Sequence, residues 1–329
     1  MTAVPVQPSR PVLVALDNGE DRHVALEFAA AEAESSGREL HVLHVVHPLT
    51  RAMSPREPVG DSPRDAARTL LEEAVRTARA SAGETVAVHT EVREGSPIDL
   101  ILQAAADSDR VFLQRRHLSA LDNVLNGPVV AAVAARSPVP VVVVPEAFSG
   151  WDLPGRRRVT VAVKRHGCDD GLLEEAFWTA ARMQAGLRVL RALAPHRLHG
   201  EVHGVGLRSA HHVDPGLPHG HGADAIAAAE LRLLEDLNPI RSRYPEVPVT
   251  VQVVRERPVL ALLEATADSD LLLISRPPTR LRASALGTLS RALLRESVCP
   301  VEVVPTHLHV PAHAGGPGRH GADSWGPIY

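Results

Sequence analysis

The sequence predicts an α/β protein made of two tandem copies of one domain, each a five-stranded parallel sheet with helices between the strands. Three observations carry this. Apolar, β-branched runs alternate with helical stripes at the spacing of βα units, and the alternation runs through twice. Short identities recur in the same order in both halves, Val92-Arg-Glu94 with Val254-Arg-Glu256 and Ala106-Asp-Ser-Asp109 with Ala267-Asp-Ser-Asp270, which marks a duplication. Each half also closes on the same arrangement: a glycine beside a short helix, then a proline leading into a valine-rich strand. In the first half these are Asn126-Gly127-Pro128 and Pro138-Val-Pro140-Val-Val-Val-Val144; in the second, Leu286-Gly287-Thr288 and Val298-Cys-Pro300-Val-Glu-Val-Val304.

Taken in order, Pro11 to Asp17 is a short apolar run ending in an acidic residue and reads as a buried parallel strand. Asn18-Gly19-Glu20 is turn chemistry. From Asp21 onward Val24, Ala25, Phe28, Ala29 and Ala33 form a helical stripe that Gly37 ends. Leu40 to Val46 is the next strand, followed by Pro48 and a polar loop over 49–62. Ser62 and Pro63 open a helix from Arg64 to Ala82, a cap residue followed by a first-turn proline. Thr85 to Val92 alternates as a strand, Ser96-Pro97 opens a helix through Ala106, and Asp109 to Gln114 begins the closing unit. Residues 146–157 read as a linker.

The second half restarts at Val159–Lys164, a strand, with a turn at Arg165-His-Gly167. A helix follows over Leu172–Gln184, a strand over Leu187–Leu193, a long helix over Ala223–Arg243, a strand over Val247–Val254 and a helix over Pro258–Ala267. The closing unit begins at Asp270. The domains are therefore residues 1–148 and 154–305, the second with a His/Gly-rich insertion at 195–222, and residues 306–329 are a disordered tail.

A chain of 329 residues supports two cores. Apolar content of 44% and charged content of 22% are those of an ordinary globular protein, and a net charge of -4 gives no electrostatic reason for nucleic acid or an anionic membrane as partner. No apolar run approaches the roughly 18 residues of a membrane span, and Met1–Pro11 has no apolar core for a signal peptide. Two cysteines, Cys168 and Cys299, are too few for a disulfide framework, and the expectation is a cytoplasmic protein.

The closing units resemble the universal stress protein domain, whose motif is Gly-x2-Gly-x9-Gly-Ser/Thr, a short helix, then a proline-led, valine-rich strand. Gly127 with Pro138-Val-Pro140 fits its end, and Gly287-Thr288 with Cys299-Pro300-Val301 fits it better. The resemblance covers about residues 11–145 and 158–305. It implies two flavodoxin-like (adenine nucleotide alpha hydrolase-like) domains, with a ligand outside the carboxyl ends of the strands where strand order reverses. It also implies a protein of the stress response that binds a nucleotide or a partner protein without being an enzyme.

In the family's nucleotide-binding branch ATP occupies that crevice. The matching positions in the first half are Ala15, Asp17 and Val45, with Gln114, His117, Gly127, Pro128 and Val129 in the phosphate loop. In the second half they are Ala162, Lys164, Ile274, Pro277, Gly287, Thr288 and Leu289. Gln114 and His117 stand where the family has glycines, and their side chains crowd phosphates that need close backbone approach. Pro128 replaces the Ser/Thr and offers neither hydroxyl nor N–H. Lys164 replaces the aspartate, and Ile274 and Pro277 replace both loop glycines. The expectation is thus weak or lost ATP binding, with Arg115, Arg116 and Arg276 as sources of positive charge for a phosphate. Thr288 also reads as a helix N-cap. The alternatives are an ATP-binding switch or weak ATP hydrolase working through the first-half crevice.

A further alternative is metal binding through the insertion, which carries His196, His199, His203, His211, His212, His219 and His221. No metal ligand set is assigned. Cys168, in a turn before a helix, is weighed for a redox role against opposing Asp169 and Asp170; Cys299 reads as core. No Ser-His-Asp order, paired carboxylates, Walker A loop or nucleic-acid motif is present. The two valine-rich strands end the sheets, and an apolar edge invites pairing. The expectation is that the halves join through them as an internal pseudo-dimer; a homodimer is a second arrangement open to the chain.

Overall fold

The computed structural model describes residues 9–17, 23–47, 63–116, 126–149, 157–164, 170–194, 223–276 and 286–306. The first half holds β1 (Val12–Leu16), α1 (Val24–Ser36), β2 (Leu40–Val46), α2 (Pro63–Ala82), β3 (Val88–Glu94), α3 (Pro97–Ala106), β4 (Arg110–Arg115), α4 (Asn126–Arg136) and β5 (Val141–Pro145). The second holds β6 (Arg158–Ala162), α5 (Asp170–Arg182), β7 (Gly186–Ala192), α6 (Ala223–Arg241), β8 (Val249–Val254), α7 (Pro258–Thr266), β9 (Leu271–Ser275), α8 (Thr288–Glu296) and β10 (Val301–Val304).

The chain folds as two compact units. Of the described residues, one takes in those up to 149 and those from 274 onward; the other takes in those from 157 to 273. In the first unit the strand order is β3-β2-β1-β4-β5-β10. β1 pairs with β2 and β4, β2 with β3, and β4 with β5, all parallel. The order therefore reverses between β1 and β4, the point where a doubly wound sheet opens a crevice at its carboxyl edge. In the second unit the order is β9-β6-β7-β8, with β6–β7 and β7–β8 parallel.

The expected pairing of the two valine-rich strands is present. β10 runs antiparallel to β5, with Val301 opposite Val143, Glu302 opposite Val142 and Val303 opposite Val141. This pairing draws residues 274–276 and 286–306 into the unit built on the first half, so the compact units do not follow the linker between the sequence repeats. Two arginines reinforce it inside that unit. Arg115, ending β4, donates to the Leu294 and Ser297 carbonyls at the end of α8, at 3.1 and 2.6 Å. Arg276, at the same place after β9, donates to the Ser137 carbonyl just past α4, at 2.7 Å. Ser137 and Ser297 occupy matching positions before the closing strands, so the two contacts mirror each other, as in an isologous interface. Both guanidinium groups meet carbonyls at helix C-terminal ends, where the helix dipole favours a cation.

The core of the first unit follows the sequence pattern. Val12, Leu13 and Val14 of β1 and Val141–Val144 of β5 are buried on both faces, as strands in a two-sided parallel sheet must be. α1 lies over β4 and β5, with Phe28 6.2 Å from Phe112 and 5.9 Å from Phe148 between ring centroids. Gly37 ends α1 in the left-handed conformation, φ 63°, and its N–H closes the helix. Strand β3 begins at Val88, later than the Thr85 that alternation suggests, and runs on to Glu94. At this sheet edge both faces carry polar side chains, so alternation marks the strand without fixing its ends. α1 begins at Val24 rather than near Asp21.

Candidate functional site

The crevice of the first half lies at the carboxyl ends of β1 and β4. Parallel pairing of Ala15 with Leu113 brings Leu16 and Asp17 beside Gln114, Arg115 and Arg116. The turn after β1 leads into α1, whose first-turn N–H groups have no intrahelical acceptor and suit an anion.

Side chains of the chain itself engage both the first turn of α1 and Asp17. The Ala25 N–H, in the first turn of α1, donates to Gln114 Oε1 at 3.2 Å. Asp17 Oδ2 lies 2.8 Å from Arg116 Nε, and the Arg116 side chain is only 10% exposed. Gln114 therefore does more than crowd the loop: it acts as acceptor for a helix amide. Arg116 balances Asp17 from the far side of the crevice. Arg115 and Arg276, the other two arginines expected to offer charge to a phosphate, instead face the carbonyls described above.

Beneath the crevice lies a histidine that motif reading does not single out. His44 on β2 is buried, and its Nδ1–H donates to the Leu16 carbonyl at 3.0 Å; a carbonyl only accepts, so the proton is on Nδ1. Burial pushes its pKa below the ordinary histidine value, opposed by that hydrogen bond and by Asp17. In β7 the sequence Leu187-Arg-Val-Leu-Arg191 parallels Leu40-His-Val-Leu-His44 of β2, and Arg191 is likewise buried. A buried basic residue at matching positions was thus written in the repeat, four residues after the leucine that Leu40 and Leu187 share.

The remaining candidates are dispersed. Ala15 and Val45 are half-buried near the ends of their strands. Gly127 is the second residue of α4, Pro128 is exposed and Val129 half-buried. In the second half Lys164 is exposed and Ile274 buried, a cation and an apolar side chain where an aspartate and a glycine are expected. Gly287, not Thr288, is the N-cap of α8, with φ -61° and ψ 164°; Thr288 is the first helical residue, exposed, and Leu289 is half-buried. Glycine here supplies the extended cap conformation without a side-chain bond. Cys299 is buried, as a core residue.

His117, Pro277, Cys168 and the seven insertion histidines lie outside the described residues, as does the tail beyond Thr306. Among the described residues no group of three or more His, Cys, Asp or Glu is placed to hold a metal ion. Among them, too, no helix is long and apolar enough to cross a membrane.

Comparison with known proteins agrees with this architecture. The model of the Universal stress protein family matches residues 8–145 and again 155–305. A universal stress protein of Mycobacterium tuberculosis is 27% identical over 298 residues, covering 89% of this chain and 96% of its own. A second from the same organism is 26% identical over 334 residues, 93% of this chain and 99% of that one. In fold, the chain is similar to the crystal structure of a universal stress protein from Archaeoglobus fulgidus, with a TM-score of 0.63 at 19% identity over 91% of this chain and 99% of that one. With two matches in tandem that span most of its length, the chain belongs to the universal stress protein family.

Proposed function

We propose that this chain is a non-enzymatic binding and regulatory protein of the stress response, in which the first-half adenine-nucleotide crevice is closed by the chain's own side chains. The supporting observation is the Gln114 side chain on the Ala25 N–H at 3.2 Å. A phosphate entering at α1 must displace that carboxamide and then occupy space a glycine would have left open. The Arg116–Asp17 pair, at 2.8 Å, adds a second contact to be broken. Phosphoryl transfer needs preorganised donors and a metal at the transferred group. The side chains engaged here leave Asp17 balanced by an arginine, and Pro128 supplies neither hydroxyl nor N–H.

The test is calorimetric titration of ATP into the purified chain and into Gln114→Gly, Asp17→Ala and Gln114→Gly/Arg116→Gly variants. The expected result is little or no heat for the parent and measurable binding for the glycine variants, abolished when Asp17→Ala is added. Micromolar or tighter binding by the parent refutes the closed-crevice reading. Parent binding lost in Asp17→Ala supports the ATP-binding switch instead, and phosphate release in the same samples supports the hydrolase.

A further inference from the structure

The β5–β10 pairing holds a charge in an unusual place. Glu302 sits in the middle of a four-residue strand whose other members are valines, and it is fully buried. It stands opposite Val142. Since Val141–Val143 and Val301–Val303 are matching positions of the two repeats, this register is symmetric about the 142/302 pair: residue 302 lies on the local two-fold of the junction.

Its cation comes from the first half. Arg110 Nη1 on β4 is 3.3 Å from Glu302 Oε1, and Arg110 is itself only 3% exposed. Arg110 also faces Glu32 of α1 at 3.5 Å and Asp109 at 3.5 Å. The repeat is asymmetric at all three buried positions. The second half has Leu271 where the first has Arg110, Thr179 where the first has Glu32, and Glu302 where the first has Val142.

Now consider the second half's edge meeting a second copy of itself in the same register. Residue 302 would oppose residue 302, placing two buried carboxylates side by side at the roughly 5 Å of directly opposed strand residues. Leu271 would supply neither with a cation. Like charges in that setting repel strongly, and a buried charge without a partner is costlier still. We propose that Glu302 makes the last strand of the second half specific for the first half: it rejects a second copy of the same edge and accepts the edge backed by Arg110. Edge strands are commonly protected against self-association by inward-pointing charges. Here one such charge also selects the intended neighbour, which stands within the same chain.

The opposed carboxylates of the rejected arrangement can be built inside the native junction, with Arg110 still beside them. Val142→Glu places a glutamate opposite Glu302, and Val142→Gln is the uncharged control of the same shape. In full-length protein, amide hydrogen exchange of Val301–Val304 is measured against the amides of β1 and β2. The expected result is that Val142→Glu lowers β10 protection on the order of 100-fold beyond Val142→Gln. Adding Glu302→Val to Val142→Glu restores protection to within about tenfold of the glutamine control, because one carboxylate then remains on the axis within reach of Arg110. Equal losses in the glutamate and glutamine variants overturn the proposal, since bulk and not charge would then be at work. So does failure of Glu302→Val to restore the pairing. Where Val142→Glu does not fold, recovery of a folded chain on adding Glu302→Val supports the proposal, and no recovery overturns it.

Discussion

Replacing Arg110 by methionine removes the cation from a buried cluster and leaves its carboxylates in place. Glu302 is fully buried and Glu32 is 5% exposed, so neither gains water when the guanidinium leaves. At the observed 3.3 Å between Arg110 and Glu302, an effective dielectric of about 20 gives a gross attraction of about 5 kcal/mol. Desolvation offsets most of that while the cluster is whole, so its net contribution to stability is small. Breaking it is a different matter, because the desolvation of Glu302 persists without its compensation; removal of one partner from a buried pair costs about 3–5 kcal/mol. For a unit of this size that lowers the melting temperature by about 6–20 °C. Calorimetry and urea unfolding followed through the first unit's transition read the change, with the m-value near that of the parent. The triple variant Arg110→Met/Glu32→Leu/Glu302→Val regains most of the loss, since apolar side chains of similar size replace the whole cluster. A loss below about 1 kcal/mol for Arg110→Met alone, or a triple variant no better than the single, refutes the reasoning and makes the cluster a solvated one.

Two further predictions concern pH and backbone conformation. Burial lowers the pKa of both His44 and His41, so below about pH 6.5 the unfolded chain binds protons that the folded chain resists, and stability falls as pH drops from there, by at most about 1.4 kcal/mol per pH unit for each histidine. Urea unfolding between pH 7.5 and 5.5 shows this slope, and His44→Asn reduces it without abolishing it, because His41 still contributes; an unchanged slope refutes the assignment. Gly37→Ala meets no atom within 4 Å of the added Cβ, but the position has φ +63°, so the expected loss is about 1 kcal/mol from backbone strain alone. Thermal unfolding measures it, and a stabilised variant contradicts the cap reading.

The parts of the fold that were legible in the sequence are those set by local physics. Alternating apolar runs gave the strands, Gly37 gave the end of α1, and the Pro63 and Pro97 starts placed two helices, because periodicity, caps and proline act within a few residues of their own position. Where an element's neighbours impose little, as at the polar edge strand β3, the boundary moved. At the crevice, sequence comparison identified Gln114 as a side chain in a glycine's place, but its acceptor role depends on Ala25, 89 residues away. The same separation hid the arginines: Arg115 and Arg276 read as loop cations until their partners, 179–182 and 139 residues distant, turn them into contacts across the β5–β10 junction.

Glu302 carries a local signal of its own in the sequence. A glutamate among three valines, in a strand otherwise expected to be buried, is a charge whose burial demands compensation. The matching place on β9 is apolar, Leu271. The first half provides the compensation, through an arginine at the start of β4 that breaks an apolar strand pattern in the same way. Two anomalies of opposite sign, one in each repeat and joined across the β5–β10 junction, are what a duplicated domain acquires once its copies are bound to pair with each other and are free to stop pairing with themselves.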